Sequence, residues 1–314
     1  MSVELVAIGR INIDIIMNVD KLPIANEHVI SKDSQFTFGG SAANFASQAA
    51  QLGVRTGLIS CVGDDIYGEM ALKNLSDNGV DTKAVLVLDN QPTGLFFLAQ
   101  HPKQGDVIFA ETGANRFLEK HIIDEEYLTK VRTIHVAGAF PMMMERSMEI
   151  ATNNGMIFSI DPGRAAEGID FSKILRQTDL LFVNETELKD YFGVTIKEKA
   201  LRTFAKTFPG ILILKMGREG AIATNGFEYV KSQIFELPVV DTLGAGDAFA
   251  AGFVTAWTRD ENIEQALNFA NAAAALTIGK QGAQNGQPSL ERTTRLLGDH
   301  GISIPSILKT FRRR

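Results

Sequence analysis

The stretch V-D-T-L-G-A-G-D-A-F-A-A-G-F, residues 240–253, combines a glycine turn with the start of a helix. Phe249, Phe253 and Trp257 recur at helical spacing, which predicts that Asp247 lies in the first turn. Backbone N–H groups at a helix N-terminus are unpaired and carry partial positive charge, so such a turn can receive an anion. Asp247 would either accept a proton from a hydroxyl that attacks beside this anion or only complement the helix dipole. Its position alone favours neither interpretation.

Composition indicates a globular protein with a sizeable core. The chain has 314 residues, of which 45% are hydrophobic, and its mean hydropathy is near zero. A formal charge of −6 argues against a protein that coats nucleic acid. The basic cluster at 312–314 is predicted to be a solvated tail.

The single cysteine and the N-terminus predict a cytoplasmic protein. Cys61 lies in an apolar run and is interpreted as a core residue, and one cysteine allows no disulfide within the chain. The first residues lack the pattern of a signal peptide, and no uncharged apolar run approaches the ~18 residues of a membrane span. The five histidines have no metal-ligand spacing.

A second glycine turn precedes another helix in F-G-G-S-A-A-N-F-A, residues 38–46. Ser41 is the predicted N-cap, and Gly53 the predicted end. Asn44 would then meet a ligand at the helix N-terminus, although an ordinary tight turn also explains the glycine pair. Upstream, alternation in R-I-N-I-D-I-I, residues 10–16, places Asn12 and Asp14 on one face of an extended segment, which is either a binding face or a solvated one.

Strands and helices alternate along most of the chain, which predicts a parallel sheet with helices on both faces. Ligands bind such sheets at the carboxyl ends of the strands. Polar clusters fall at these ends: D-P-G-R at 161–164, N-E-T-E at 184–187 and G-R-E-G at 217–220. The predicted strands are 3–8, 55–63, 131–136, 156–161, 179–183 and 211–216, and the predicted helices between the later strands are 143–153, 186–192 and 197–208.

A block of short β-rich runs interrupts this pattern at residues 84–112. Together with residues 12–38, which include an extended segment over 28–38, it predicts a small accessory sheet that closes over the site as a lid. We expect one domain over residues 1–314 with this lid inserted.

Four motifs in order carry a family resemblance: G-G-S-A-A-N at 39–44, G-A-N at 113–115, N-E-T-E at 184–187 and D-T-L-G-A-G-D at 241–247. Together they resemble the ribokinase-like (phosphofructokinase-B) family of sugar and nucleoside kinases over nearly the whole chain. The resemblance implies a Rossmann-like α/β fold with a β-sheet lid. It also implies transfer of the γ-phosphate of ATP to a hydroxyl, usually a primary one.

The resemblance assigns roles around the opening stretch. Asp247 is the implied general base, and the backbone N–H groups of Gly244, Ala245 and Gly246 form the implied anion hole. Asp241, with the loop 276–286, would hold a monovalent cation such as K⁺, mainly through backbone carbonyls.

The same resemblance assigns the ATP and magnesium residues. Asn184 and Glu187 match an N-x-x-E element that organises Mg²⁺ and the phosphates largely through water. Standing alone, that motif would be interpreted as an exposed acidic helix N-terminus. Asn271 lies where the adenine pocket is expected, or is a polar residue on a packed helix. The implied ATP-binding residues are Asn184, Lys215, Gly217, Gly220 and Asn271.

The acceptor is less determined. The positions that match sugar-binding residues of the family are Asn12, Asp14, Gly39, Gly40 and Asn44. Ribokinases usually have Lys-Gly where this chain has Ser41-Ala42, and an acidic residue near Ala139. Losing that carboxylate makes the pocket roomier and less polar. Ribose or a related furanose is the predicted acceptor, with a nucleoside or ribose 1-phosphate as alternatives; Arg164 contacts a phosphate of ATP or of a phosphosugar, or is a surface arginine.

Two other classes of protein are compared with a kinase. A dinucleotide-dependent oxidoreductase would need G-x-G-x-x-G after the first strand, and I-G-R-I-N-I has one glycine. A non-catalytic sugar or nucleotide sensor would not need Asp247. We further expect a homodimer through lid strands such as 94–99, because their apolar edges would be exposed in a monomer.

Overall fold

The first strand shows how the sequence builds a two-sided core. Leu5 and Ala7 face one hydrophobic cluster, whereas Val6 and Ile8 face the other. A strand that is apolar on both faces must be covered by helices on both sides.

The structure is a computed structural model that describes residues 3–101, 103–121, 123–164 and 166–302. The predicted arginine tail therefore lies outside the described residues.

Two sheets organise the described residues. Nine strands form the central sheet in the order β13-β12-β11-β10-β9-β8-β1-β4-β5, and four form a separate sheet in the order β3-β2-β6-β7. The strands are β1 Leu5–Gly9, β2 Asn12–Asn18, β3 Asp33–Gly39, β4 Thr56–Gly63, β5 Val85–Leu88, β6 Gly94–His101, β7 Gly105–Glu111, β8 Thr133–Ala137, β9 Ile157–Asp161, β10 Leu180–Asn184, β11 Ile211–Lys215, β12 Ala221–Thr224 and β13 Tyr229–Ser232.

From β5 to β11 the central sheet is parallel, and β12 and β13 extend it with antiparallel pairing. The helices pack on both of its faces. They are α1 Ser41–Gln51, α2 Ile66–Asp77, α3 Pro141–Asn153, α4 Phe171–Ile174, α5 Glu185–Phe192, α6 Glu198–Ala205, α7 Ala245–Trp257, α8 Ile263–Thr277 and α9 Leu290–Asp299. The predicted α/β fold class is confirmed, and the predicted strands and helices match observed elements.

Three local predictions were wrong. Residues 84–88 were assigned to the accessory sheet, but β5 pairs with β4 at the edge of the central sheet. The extended segment 28–38 becomes a strand only at Asp33. Ser41 is the first residue of α1 rather than its cap, because Gly40 occupies the N-cap position with a φ of 94°. A short apolar run does not determine which sheet a strand joins or where the strand begins, because both depend on pairing with distant strands. Adjacent small residues likewise do not determine which of them caps a helix.

No helix in the described ranges combines the length and apolar character needed to cross a membrane. Cys61 is buried in β4, as expected for a core cysteine.

A buried amide joins the two sheets. The Asn115 side chain accepts a hydrogen bond from the Ile11 N–H at 3.1 Å and donates to the Ile11 carbonyl at 3.0 Å. It also donates to Oδ1 of Asn12 at 3.0 Å. Asn115 therefore pairs the backbone at the crossing from β1 to β2 and orients the Asn12 side chain.

Replacing Asn115 with leucine should lower the free energy of unfolding by about 2–4 kcal/mol, because the Ile11 N–H and carbonyl would be buried without partners. Denaturant unfolding followed by circular dichroism measures this. Asn154→Ala, at an exposed helix end, is the control and should change stability by less than about 1 kcal/mol. Equal stability of the two variants would contradict the structural role of Asn115.

Candidate active site

The turn before α7 requires glycine. Gly244 has a φ of 74°, and a Cβ there would lie 2.5 Å from the Ala283 carbonyl oxygen. Among the described residues, the N–H groups of Gly244 and Gly246 have no hydrogen-bond partner, whereas Ala245 N–H donates to the Thr242 carbonyl at 3.3 Å. Two of the three predicted anion-hole donors are therefore free, and the third makes a long bond within the turn.

Asp247 is held by a chain of side-chain amides. Asn44 Nδ2 donates to Asp247 Oδ2 at 2.8 Å. Gln284 Nε2 donates to Asn44 Oδ1 at 3.0 Å, and Asn74 Nδ2 donates to Gln284 Oε1 at 2.7 Å. Because each amide satisfies the next, the Asn44 nitrogen is the atom that faces the carboxylate.

Burial raises the pKa of Asp247 to about 7 against the opposing hydrogen bond from Asn44. The Asp161 carboxylate raises this pKa further, and the Lys215 ammonium opposes it. Asp247 is therefore a stronger base than an ordinary aspartate, and it changes charge near neutral pH.

Lys215 brings positive charge to the same place. It ends β11 and forms an ion pair with Asp161, which ends β9. A Cβ at Gly246 would lie 3.7 Å from the Lys215 Nζ. Burial alone would lower the pKa of Lys215, but Asp161, Glu187 and Asp247 hold it above its ordinary value. The side chain is thus an ammonium beside the anion hole.

The N-E-T-E motif forms a capping box at the start of α5. Asn184 Oδ1 accepts from Glu187 N–H at 2.9 Å, and Glu187 Oε2 accepts from Asn184 N–H at 2.9 Å. Glu187 is only 5% exposed, so the interpretation as a solvated acidic helix start does not hold. Burial, reinforced by Asp161, raises the pKa of Glu187.

A cavity of about 720 Å³ opens beside these residues. It lies at the carboxyl ends of β9, β10 and β11, where ligands bind parallel sheets. Its lining residues include Arg164, Asn184, Glu187, Tyr191, Lys215 and Gly217. Arg164, which the sequence left undecided, therefore belongs to this cavity.

Asp14 lies in β2 of the small sheet, and its charge contributes to the raised pKa of Asp247. A Cβ at Gly39 would overlap the Asp14 carboxylate in its observed position, so a larger residue there would displace this side chain. Burial, with the Asp241 charge, raises the pKa of Asp14 to about 6. The crossing that holds Asn12 adjoins the Gly39–Gly40 turn, because Asn12 and Gly39 are partners in the β2–β3 pairing.

The sequence and fold of this chain are similar to those of known carbohydrate kinases. The model of the pfkB family carbohydrate kinase matches residues 3–290. This chain is a member of that family. An ATP-dependent ribose-1-phosphate kinase of Halopiger xanaduensis is 33% identical over 291 residues, covering 90% of this chain and 94% of that protein.

Two solved structures share the fold of this pfkB-family kinase. The Arabidopsis thaliana ribokinase complexed with ribose and ATP has a TM-score of 0.85 and 27% identity, covering 95% of this chain and 99% of that one. An E. coli ribokinase II in complex with ATP and Mg²⁺ has a TM-score of 0.83 and 25% identity, covering 95% of this chain and all of that one. The predicted resemblance is confirmed.

Two predicted ATP residues of this pfkB-family kinase make structural contacts. Asn271 Nδ2 donates to Ser232 Oγ at 2.9 Å and to the Gln233 carbonyl at 3.2 Å, so it ties α8 to the end of β13. Gly220, with a φ of 84°, allows close approach to the Ser232 carbonyl. Neither residue lines the 720 Å³ cavity. Their roles toward ATP stay predictions.

Sequence reasoning missed three residues of the site. Asp161 and Gln284 lay within quoted motifs but had no assigned side-chain role, since an ion pair and an amide chain are contacts across the sheet. Arg10 also lay within a quoted run. Its guanidinium lies 5.3 Å from the centre of the Phe140 ring, at the carboxyl end of β1.

Proposed function

We propose that this kinase transfers the γ-phosphate of ATP to the primary hydroxyl of a furanose, with Asp247 as general base. The observation that carries the proposal is the position of this carboxylate. It lies beside two unpaired backbone N–H groups and near the Lys215 ammonium, between a large cavity and the residues around Asp14. A base, an anion hole and two substrate regions are the parts that phosphoryl transfer needs.

The strand order separates donor from acceptor. The cavity on β9, β10 and β11 suits ATP, and the region after β1 and β8, covered by β2 and β3, suits the sugar. Asn184, Lys215 and Gly217 would contact ATP. The Asp14 carboxylate would accept hydrogen bonds from two neighbouring sugar hydroxyls, each of which is a donor. The relatives that hold ribose with ATP, and ATP with Mg²⁺, support this division.

Magnesium fits the donor side through Glu187. No group of three or more acidic, histidine or cysteine side chains forms a ready-made metal site among the described residues. Mg²⁺ keeps several waters and binds through one or two carboxylates plus substrate phosphates, which suits a single buried carboxylate beside the cavity. The ion would neutralise phosphate charge.

Asp247 accepts the proton late, as the hydroxyl attacks, because a carboxylate does not fully deprotonate an alcohol beforehand. The free N–H groups of Gly244 and Gly246 stabilise the charge of the transferring phosphoryl group. Such donors are typically worth roughly 3–4 kcal/mol each in the transition state. Lys215 supplies further positive charge, and Asp161 holds its ammonium in place.

The Asp247→Asn variant should lose about 10²–10⁴-fold in kcat, because the base is absent while the shape is kept. Turnover is measured over ribose, fructose, nucleosides and ribose 1-phosphate.

In the wild type, kcat/KM should fall as pH drops below about 7, since protonation removes the base form of Asp247.

Three results would contradict the proposed role of Asp247 or the proposed kinase activity. Equal turnover by Asp247→Asn would overturn the base assignment. A wild-type profile that stays flat from pH 8 to pH 5 would contradict the raised pKa of Asp247. ATP binding without turnover of any acceptor would favour the sensor.

A monovalent cation is proposed next to the anion hole. Asp241 accepts from Leu243 N–H at 3.0 Å and from Gly282 N–H at 2.8 Å, so its carboxylate fixes the loop 276–286 against the α7 turn. Because both oxygens of this carboxylate accept hydrogen bonds from backbone N–H groups, backbone carbonyls would hold the ion.

We expect KCl to raise kcat/KM several-fold over choline chloride at equal ionic strength. Equal rates in the two salts would refute the cation site.

We also propose a homodimer through the small sheet. The prediction that strand 94–99 has an exposed edge was wrong, because β6 pairs with β2 on one side and β7 on the other. The edge strands of this sheet are β3 and β7, and β7 exposes Phe109 at 60% and Ile108 at 54%. Exposed apolar edge strands favour pairing with a second chain.

We also propose that the protein is cytoplasmic, because its single cysteine, Cys61, is a buried free thiol.

Light scattering should give twice the 34.2 kDa chain mass for the wild type. Phe109→Asp should shift the mass toward the monomer, because it charges the proposed interface. The control Phe227→Asp changes a still more exposed phenylalanine outside the small sheet and should stay dimeric. A monomeric wild type would refute the dimer.

A further inference from the structure

Arg10 is a partly buried cation that has no anionic partner within the described part of the chain. It follows Gly9, the last residue of β1, and its guanidinium lies over the Phe140 ring. Among the described residues, this guanidinium has no hydrogen bond and no ion pair. Burial lowers the pKa of Arg10, which reflects the cost of removing its charge from water. A positive group held in this way is prepared for an anion that comes from outside the protein.

The strand order places Arg10 with the acceptor. The ATP cavity lies on β9 to β11, and β8 and β1 follow in the sheet. Neighbouring strands are about 4.8 Å apart, so the end of β1 lies roughly 10 Å from the end of β9. Arg164 lines the ATP cavity and Arg10 does not. The two arginines therefore serve different substrates.

The backbone connects Arg10 to the acceptor residues. Its carbonyl oxygen accepts a hydrogen bond from Ala43 N–H at 3.3 Å, and Ala43 precedes Asn44, which holds Asp247. A Cβ at Gly40 would overlap the same carbonyl. Asn12 lies two residues further along the chain. The backbone of Arg10 thus contacts the turn and helix start that carry Gly40 and Asn44, the residue that holds Asp247.

The wall beside Arg10 contributes no carboxylate. β8 ends at Ala137, and Gly138, Ala139 and Phe140 follow it. These three residues cannot neutralise the charge of Arg10 or repel an anion, and the Phe140 ring holds the guanidinium by a cation–π contact.

We propose that Arg10 binds a phosphate ester on the anomeric oxygen of the acceptor, so that the substrate class is a pentose 1-phosphate. This inference rests on the proposed function. With the primary hydroxyl at Asp247 and two ring hydroxyls at Asp14, the anomeric substituent is the remaining one. A guanidinium offers two parallel N–H donors that match two phosphate oxygens.

The test compares ribose 1-phosphate with ribose, first as ligands without ATP and then as substrates. Calorimetry should show at least tenfold tighter binding of ribose 1-phosphate to the wild type. In Arg10→Gln, both this preference and the ratio of kcat/KM for the two acceptors should fall at least tenfold. Arg10→Lys should keep part of the preference. Ribose 5-phosphate, whose primary hydroxyl is blocked, should not be phosphorylated at that position.

Arg164→Gln is the matched control. It should raise the KM for ATP and keep the preference for ribose 1-phosphate over ribose, because Arg164 lines the donor cavity. Thermal unfolding of each variant checks that it folds. If Arg10→Gln does not fold, Arg10→Lys replaces it: this variant keeps the positive charge and should keep part of the preference for ribose 1-phosphate over ribose.

The possible failures are distinct. If the wild type binds ribose 1-phosphate no tighter than ribose, or if Arg10→Gln keeps the preference, the phosphate site is wrong while Asp247-dependent turnover of ribose still supports the kinase. If no acceptor is turned over, the proposed function fails, and the calorimetry alone still decides whether Arg10 binds the phosphate.

Discussion

The hydrogen bond between Asn44 and Asp247 joins two helix N-termini that are 203 residues apart in the chain. Each helix starts from a glycine with positive φ, Gly40 in one case and Gly244 in the other. These glycines bring the two turns close enough for one side chain to orient the other. The proposed base, anion hole and sugar-binding face depend on this contact, because each belongs to or adjoins one of the two turns.

Opposing charges set the chemistry of this centre. Asp247, Asp161 and Glu187 lie near one ammonium, that of Lys215. Burial alone would lower the pKa of Lys215, but the ion pair with Asp161 keeps the lysine charged. The same burial makes Asp247 basic near neutral pH. A phosphoryl group that arrives with its own negative charge therefore meets fixed N–H donors and a fixed cation, and a carboxylate ready to accept a proton.

The central sheet separates the two substrates by strand position. Its parallel strands all present their carboxyl ends at one edge; the 720 Å³ cavity, where we propose that ATP binds, lies at β9 to β11, and the residues proposed to hold the sugar lie next to β1. The small sheet contributes Asp14 from β2, and Asn115 ties the crossing between the two sheets. In the proposed reaction, the two substrates meet at Asp247.

The sequence by itself determined the α/β class and most element positions, because periodicity and glycine turns are local signals, and the family resemblance of its motifs singled out the residues around Asp247 and Glu187. It misplaced β5 and the cap of α1, since a short apolar run pairs with whichever strand the fold brings near. Only the tertiary structure paired Lys215 with Asp161, brought Arg164 into the lining of the 720 Å³ cavity and left Arg10 without an anionic partner among the described residues. Those outcomes depend on which strands are neighbours, and strand order is not written in any single stretch of the chain.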